Sequence, residues 1–145
     1  MKPRAAWPIL AKKAKEKCDL AMAALVKGRE KIKNLEQSRS RMEALYADYL
    51  ARSIETEKKS LRMQETVNFR GFLQQIQTLI KRVDIDLQHA KFELDILKSN
   101  LLAAEKKRIQ METLQEQDER RIRDAAAKRE QREMDATGVM LFNMR

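Results

Sequence analysis

The feature that most constrains the fold is a run of apolar residues in the second half of the chain, spaced alternately four and three positions apart. It comprises Ile76, Ile80, Val83, Leu87, Ala90, Leu94, Leu97, Leu101, Ala104 and Met111, with a single interruption at Arg108. Such a/d spacing, kept for about five heptads, is typical of a coiled-coil helix because it aligns these side chains along one stripe. It predicts a helix from about residue 69 to about 136. Thr137-Gly138 is its predicted stop, with Gly in a left-handed cap conformation.

The first half of the chain carries a weaker pattern of the same kind. Leu25, Ile32, Leu35, Met42, Leu45 and Tyr49 fall on one helix face, with gaps at Arg29 and Arg39. Pro8 fits the first turn of a helix, where its missing N–H costs no internal hydrogen bond. No further Pro follows it. We therefore predict a first helix from about residue 8 to about 60.

The segment between the two helices, IETEKKSLRMQETVNF, contains neither Gly nor Pro. A turn at about residues 60–68 is inferred from the change of pattern, with Asn68 as a candidate cap of the second helix. A short turn folds the helices back on each other. The predicted fold is all-α, a long antiparallel two-helix coiled-coil hairpin forming a single domain over residues 1–145. A single bent helix is the alternative, and residues 138–145 form a short apolar tail.

The stretch RIRDAAAKREQREMD, residues 121–135, is helical by propensity yet carries only Ile122 and Met134 as large apolar side chains. A helix that is polar nearly all round needs an outside reason to stay folded. We expect it to pair with the equally Ala-rich and charged segment AKKAKEKCDLAMAAL, residues 11–25. The open end of the hairpin is then its least self-sufficient part.

Residues for catalysis or cofactor binding are missing from the sequence. His89 is the only histidine and Cys18 the only cysteine, so a zinc site lacks ligands, and the three Gly lie too far apart for a phosphate loop. We read His89 as a surface residue and Cys18 as a small apolar residue on a helix face. The many carboxylates are interpreted as helix-face partners of Lys and Arg. The prediction is a non-enzymatic protein without a metal or cofactor.

The net charge of +9 is concentrated at the N-terminus, where residues 1–35 hold ten Lys or Arg against three acids. A basic coiled coil that binds nucleic acid is therefore an alternative function, although the lysine clusters include no Asn or aromatic base readers. The segments AWPIL and VMLFNMR are too short to anchor the chain in a membrane alone. No apolar run is long enough for a membrane span and the N-terminus lacks a signal-peptide core, which predicts a cytoplasmic protein with only indirect membrane association.

Four segments carry a resemblance to a known family: YADYL at residues 46–50, NFRGFLQQIQTLIKRV at 68–83, EKKRIQMETLQ at 105–115 and EQREMD at 130–135. In a basic helical chain of this length they resemble the FliJ family of the flagellar type III export apparatus. The YscO-type proteins of injectisomes are the near alternative. The resemblance implies a hairpin similar to the coiled-coil stalk of the ATP synthase gamma subunit.

The same resemblance implies partners and surfaces. The protein would sit in the hexameric export ATPase at the cytoplasmic face of the inner membrane, touch the cytoplasmic domain of the export-gate protein and assist the cycling of export chaperones. The gate-binding residues would be Ser38, Met42, Leu45, Tyr49, Phe72, Ile76, Leu79 and Val83. The residues facing the ATPase ring would be Lys13, Lys17, Arg121, Arg123, Lys128, Arg129, Glu130, Met134 and Asp135.

Overall fold

The computed structural model describes residues 6–58 and 63–144, and they form two helices. Helix α1 is Ala6–Lys58, with 53 residues, and helix α2 is Met63–Asn143, with 81 residues. The two helices contact each other and the described residues include no strand, so the fold is the all-α helical hairpin that the sequence predicts. Pro8 lies in the first turn of α1, where a proline is compatible with helix geometry.

The packing divides the chain into two compact units, each containing part of both helices. The terminal unit is Met1–Met22 with Asn100–Arg145, and the central unit is Ala23–Ser99. The single domain over residues 1–145 stays a prediction.

In the central unit the two helices run antiparallel. As the residue number on α1 increases, the residue number of its contact on α2 decreases. Lys31 Nζ lies 3.5 Å from Glu93 Oε2, Arg39 hydrogen-bonds Asp84, and Gln77 Nε2 donates to Tyr46 Oη at 3.0 Å. The hydrogen bond and the negative charge of Asp84 raise the pKa of Arg39. The gap at Arg39 in the apolar pattern is therefore filled by an ion pair between the helices.

The two helices contribute unequally to the core of the central unit. Helix α2 supplies the buried side chains Leu73, Ile76, Val83, Leu87 and Ala90, whereas α1 supplies Leu25 and the polar Ser53. At Gly28, an added Cβ would lie 2.8 Å from Leu97 Cδ1, so the missing side chain leaves room for a leucine of α2. The predicted core residue Leu45 is 41% exposed, and the neighbouring Tyr46 is half-buried instead.

The terminal unit has a small core made mainly of alanine and methionine. Ala11, Ala14 and Met111 are buried together, with Trp7 and Leu114 packed against them. This contact corrects the predicted pairing of residues 11–25 with residues 121–135, because the start of α1 packs on a part of α2 that precedes the latter segment. Large apolar residues of α2 near Met111 offer more buried area than the polar stretch does.

The interruption of the heptad pattern at Arg108 also has a structural explanation. The Arg108 guanidinium donates to Glu112 Oε2 at 3.1 Å and interacts with the sulfur of the buried Cys18, and both interactions raise the pKa of Arg108. The long stem of an arginine can pack in a helix interface while its charged head reaches a partner. Cys18 lies on a buried helix face, as its small apolar character suggests.

Helix α2 continues beyond its last partly buried residue, Ala125. All of residues 126–144 are exposed, and we call this segment the α2 extension. It passes through Thr137 and Gly138 to Asn143, so continuous helix replaces the stop that was predicted at Thr137-Gly138. The Thr137 hydroxyl donates back to the Glu133 carbonyl at 2.9 Å, a bond that a helical Thr can make without interrupting the backbone.

The predicted turn at residues 60–68 falls partly outside the described residues, which omit 59–62. Residues 63–68 belong to α2, so that Asn68 lies inside the helix and not at its cap. Because Met63, Gln64 and Glu65 are good helix formers, the helix starts before the weaker formers Thr66, Val67 and Asn68.

A pair of isoleucines on α2 tests the packing of the central unit. Ile76→Ala should lower the free energy of unfolding by about 2–4 kcal/mol because Ile76 is only 3% exposed. The matched control Ile85→Ala, at a position 55% exposed, should change it by less than about 0.5 kcal/mol. Urea unfolding followed by circular dichroism measures both. Equal losses for the two variants would contradict the assigned helix face.

The helical state of Gly138 can be tested by substitution. Gly138→Ala should slow amide hydrogen exchange of residues 139–143 about fivefold, because Ala favours helix over Gly by about 1 kcal/mol and nothing lies within 4 Å of the added Cβ. Gly71→Ala, equally free of neighbours, is the control and should leave exchange at 139–143 unchanged. Faster exchange in Gly138→Ala would indicate a left-handed Gly138 and a helix that ends there.

Candidate functional site

An aromatic cluster lies where α1 and α2 meet in the central unit near residues 49 and 72. The ring centroids of Tyr49 and Phe72 are 4.6 Å apart with planes tilted by 44°, and those of Tyr49 and Phe69 are 6.2 Å apart. Phe69 and Phe72 share a face of α2 because they are three positions apart. The Arg52 guanidinium lies 5.5 Å from the Tyr49 centroid, within range of a cation–π interaction.

These rings line an open groove, which we call the aromatic groove. Its volume is about 520 Å³, and Thr56, Glu65 and Asn68 complete its lining. Phe72 remains 39% exposed although it touches Tyr49. Exposed aromatic side chains held by packing on one side are typical anchors of protein interfaces. The groove can therefore accept a side chain or a helix edge of another protein.

The structure sorts the eight predicted gate-binding residues by exposure. Leu45, Phe72 and Leu79 are exposed, Ser38, Met42 and Tyr49 are half-buried, and Ile76 and Val83 are buried. Ile76 and Val83 lie in the core of the central unit, where the packing of the two helices covers them. A partner that leaves the hairpin intact can reach only the other six.

The nine residues predicted to face the ATPase ring are all exposed and all belong to the terminal unit. Lys128, Arg129, Glu130, Met134 and Asp135 lie on the α2 extension, whereas Lys13 and Lys17 lie on α1. Along the extension the charges interact within the helix: Arg129 Nε is 3.9 Å from Glu133 Oε1, and Gln131 donates to Asp135 at 3.0 Å. Such exposed pairs support a helix weakly, by about 0.2–0.5 kcal/mol each.

The end of the extension differs from its polar beginning. Val139, Met140, Leu141 and Phe142 are consecutive exposed residues. Four successive helical positions point about 100° apart, so these side chains surround the helix on all sides. Met134 and Leu141 also line a shallow surface groove with Thr137 and Gly138. A helical turn that is apolar all round is normally buried by other protein.

Two further questions about the described residues concern metal sites and membrane-spanning helices. Within residues 6–58 and 63–144, no three His, Cys, Asp or Glu side chains are grouped so that they could hold a metal ion. His89 is exposed. In the same part of the chain, no helix combines the length and the apolar character needed to span a bilayer.

Sequence reasoning missed two features of these surfaces. Phe69 and Arg52 join Tyr49 and Phe72 around the aromatic groove, and the spacing of the two phenylalanines in NFRGF was the available signal. The second feature is a set of exposed apolar side chains on the outer face of α2, namely Ile85, Phe92 and Ile96. It escaped notice because the stronger heptad pattern on the opposite face of α2 dominates the same stretch.

Comparison with known proteins yields a match to a protein family. No curated protein and no solved structure matches the chain. The model of one protein family, described as the flagellar FliJ protein, matches residues 9–145, which is nearly the whole chain. The long helices, the absence of strands in the described residues and the four segments noted in the sequence agree with this match. The chain therefore belongs to the FliJ family, a non-catalytic component of the flagellar export apparatus.

Proposed function

We propose that this protein is the central stalk of the flagellar type III export apparatus, with the α2 extension inserted in the hexameric export ATPase. Its central unit binds the cytoplasmic domain of the export-gate protein, and it assists the cycling of export chaperones. It works in the cytoplasm, at the inner face of the inner membrane. The observation that carries this proposal is the exposure of α2 on all sides over residues 126–144.

The polar part of the extension has no apolar face of its own to bury. Residues 126–137 comprise three alanines, six charged residues, Gln131 and Thr137, and Met134 is the one large apolar residue there. Isolated helices of this length are marginal in water. A ring of subunits offers polar partners on every side of such a helix, and the alanines keep it narrow enough to enter a pore.

The apolar turn at the end of the extension supports insertion as well. Val139 to Phe142 would stay in water in the free protein, which is unfavourable by about 25 cal/mol per Å² of apolar surface. A flat partner would cover only one side of this turn. The inside of a ring can cover all of them.

The gate-binding surface is proposed to centre on the aromatic groove. Phe72 and Leu79 are exposed and lie seven residues apart on α2, so they share a face two turns apart. Leu45 and the half-buried Tyr49 extend this surface onto α1. Ile76 and Val83 support it from beneath.

Helix α2 carries both the extension and part of the aromatic groove, so it can couple the ATPase ring to the export gate. The extension biases the conformations of the ring subunits, either by promoting assembly of the hexamer or by passing asymmetry between subunits. The groove meanwhile holds the gate. The match to the flagellar family favours this role over that of an injectisome stalk.

Deleting residues 126–145 tests the stalk. The full-length protein should raise ATP turnover or hexamer formation by the purified export ATPase, and the truncated chain should lose this effect because the inserted helix is gone. The cores of both units lie before residue 126, so circular dichroism should show an otherwise intact hairpin. A matched control, Phe72→Ala in the full-length chain, should stimulate the ATPase normally. Full stimulation by the truncated chain would rule out insertion of the extension.

Two phenylalanines on α2 test the gate surface. Phe72→Ala should weaken binding of the purified cytoplasmic domain of the gate protein about tenfold or more, as expected for an aromatic anchor. Phe92→Ala removes a more exposed ring, 68% accessible, from a different face of the same helix and should leave this affinity unchanged. Calorimetric titration measures both. Equal effects of the two variants would show that the gate protein does not bind at the aromatic groove.

A further inference from the structure

The aromatic groove changes character along its length. Tyr49 and Phe72 form one end, with ring centroids 4.6 Å apart, and the Phe69 ring lies 6.2 Å from Tyr49. Glu65, Phe69 and Phe72 follow one another on α2 at spacings of four and three, so they lie along a single helix face. A side chain that lies along this groove therefore meets rings at one end and polar groups at the other. The polar part of the lining consists of Thr56, Glu65 and Asn68.

Both parts of the groove favour a positive charge. Among the described residues that line it, only Glu65 is charged. The Glu65 side chain is exposed and makes no ion pair with any described residue. The faces of aromatic rings are electron-rich and attract cations, most strongly where water is partly excluded. A cation in the groove would therefore be attracted by the rings and by the carboxylate together.

The nearby cations do not neutralise this carboxylate. One arginine on each helix lies close to the groove, and each already has a carboxylate partner. Arg52 Nη2 is 3.3 Å from Asp48 Oδ2, and Arg70 Nη2 is 3.7 Å from Glu57 Oε1. Each of these pairs is neutral as a unit. The charge of Glu65 is therefore left over at the groove, in contrast to the net charge of +9 for the whole chain.

The rings of the groove also differ in whether a cation already contacts them. The Arg52 guanidinium lies 5.5 Å from the Tyr49 centroid, so this ring has a cation–π partner from its own helix. No described cation lies over Phe69 or Phe72. Lys58, the next described cation of α1, lies two residues after Thr56 and hence about 200° around the helix from it. Phe69 and Phe72 are therefore the rings available to a cation from another protein.

We infer that the aromatic groove binds an arginine or lysine side chain of the export-gate protein. The aliphatic stem packs on Phe72, and the cationic head lies over Phe69, where it reaches the Glu65 carboxylate. The groove, with a volume of about 520 Å³, has room for such a side chain. The inference rests on the proposed gate-binding function and specifies the chemistry that the gate protein presents.

Other occupants satisfy only part of the groove. Glu65 would repel an acidic side chain, and it would equally repel the phosphates of a lipid surface or a nucleic acid. A purely aliphatic side chain would cover the rings but remove water from Glu65 and Asn68 without giving them a partner, which is unfavourable. A long side chain with an apolar stem and a cationic head matches both ends. A second copy of this chain also carries such side chains, so the oligomeric state is one outcome of the test.

Two small molecules test the charge preference without the gate protein. N-acetylarginine amide carries a guanidinium, and N-acetylcitrulline amide replaces it with a neutral urea group of nearly the same shape. In NMR titrations of the full-length protein, the arginine derivative should shift the ring signals of Phe69 and Phe72 with an affinity about fivefold or more above that of the citrulline derivative. Glu65→Gln should remove this difference. The control Glu55→Gln, at an exposed carboxylate outside the lining, should retain it. Equal affinities of the unsubstituted protein for the two molecules would overturn the inference.

The purified cytoplasmic domain of the gate protein tests whether the partner uses this charge. Glu65→Gln should weaken its binding about fivefold or more and make the affinity less sensitive to NaCl, because a salt-screened attraction is lost. Glu55→Gln should bind like the unsubstituted protein. Circular dichroism should show the same helix content for both variants, since each replacement keeps the shape of the side chain.

The outcomes separate this inference from the function on which it rests. If Phe72→Ala weakens gate binding and Glu65→Gln does not, the gate surface stands and the inference is wrong. If the gate domain does not bind at all, the proposed gate function fails and the assignment of the cation to the gate protein fails with it. The arginine and citrulline derivatives still decide whether the groove selects a cation. A dimer in analytical ultracentrifugation that Glu65→Gln dissociates would assign the groove to a second copy of this chain.

Discussion

The contact on which the rest of the structure depends is the packing of the apolar stripe of α2 against α1, and the two helices contribute to it unequally. In the central unit, Ile76, Val83 and Leu87 are buried, whereas α1 offers Gly28, Arg39 and Ser53 along with Leu25. Small and polar residues on α1 let the larger side chains of α2 fit without a third layer. The polar positions are compensated, since Arg39 has Asp84 as its partner.

A hairpin of two helices buries one stripe of each helix and leaves most of its surface in water. The features described above are accordingly surfaces: the aromatic groove, the exposed face of α2 around Phe92 and the α2 extension. Their distribution along α2 allows several partners to be bound at once. This arrangement suits a protein that connects larger machines.

The sequence predicted the strongest part of this fold and missed what depends on weaker signals. The heptad pattern from Ile76 to Met111 identified the buried face of α2 because large apolar residues repeat there without ambiguity. On α1 the face that packs against α2 contains Gly28, Arg39 and Ser53, which an apolar pattern does not detect. The pattern therefore predicted that Leu45 faces α2, whereas the neighbouring Tyr46 is the half-buried residue. Two exposed glycines, Gly71 and Gly138, lie in continuous helix, because a single Gly costs only about 1 kcal/mol and need not end a helix. Within the predicted gate surface, the heptad pattern already separates Ile76 and Val83, which lie on it, from Phe72 and Leu79, which lie off it. The burial of the first pair and the exposure of the second agree with that separation.

The length of α2 also explains how a polar segment can be presented to a partner. Starting a helix is the unfavourable step, since several residues must be fixed before the first hydrogen bond forms, whereas each further residue adds a bond. The α2 extension is continuous with a helix held by Met111 and Leu114 against Trp7, Ala11 and Ala14. It therefore elongates from an existing nucleus and is ordered to a large degree before any partner binds. Binding then requires less loss of conformational entropy than folding a free peptide would, and the affinity of a polar, alanine-rich helix can come from its charges and its apolar last turn.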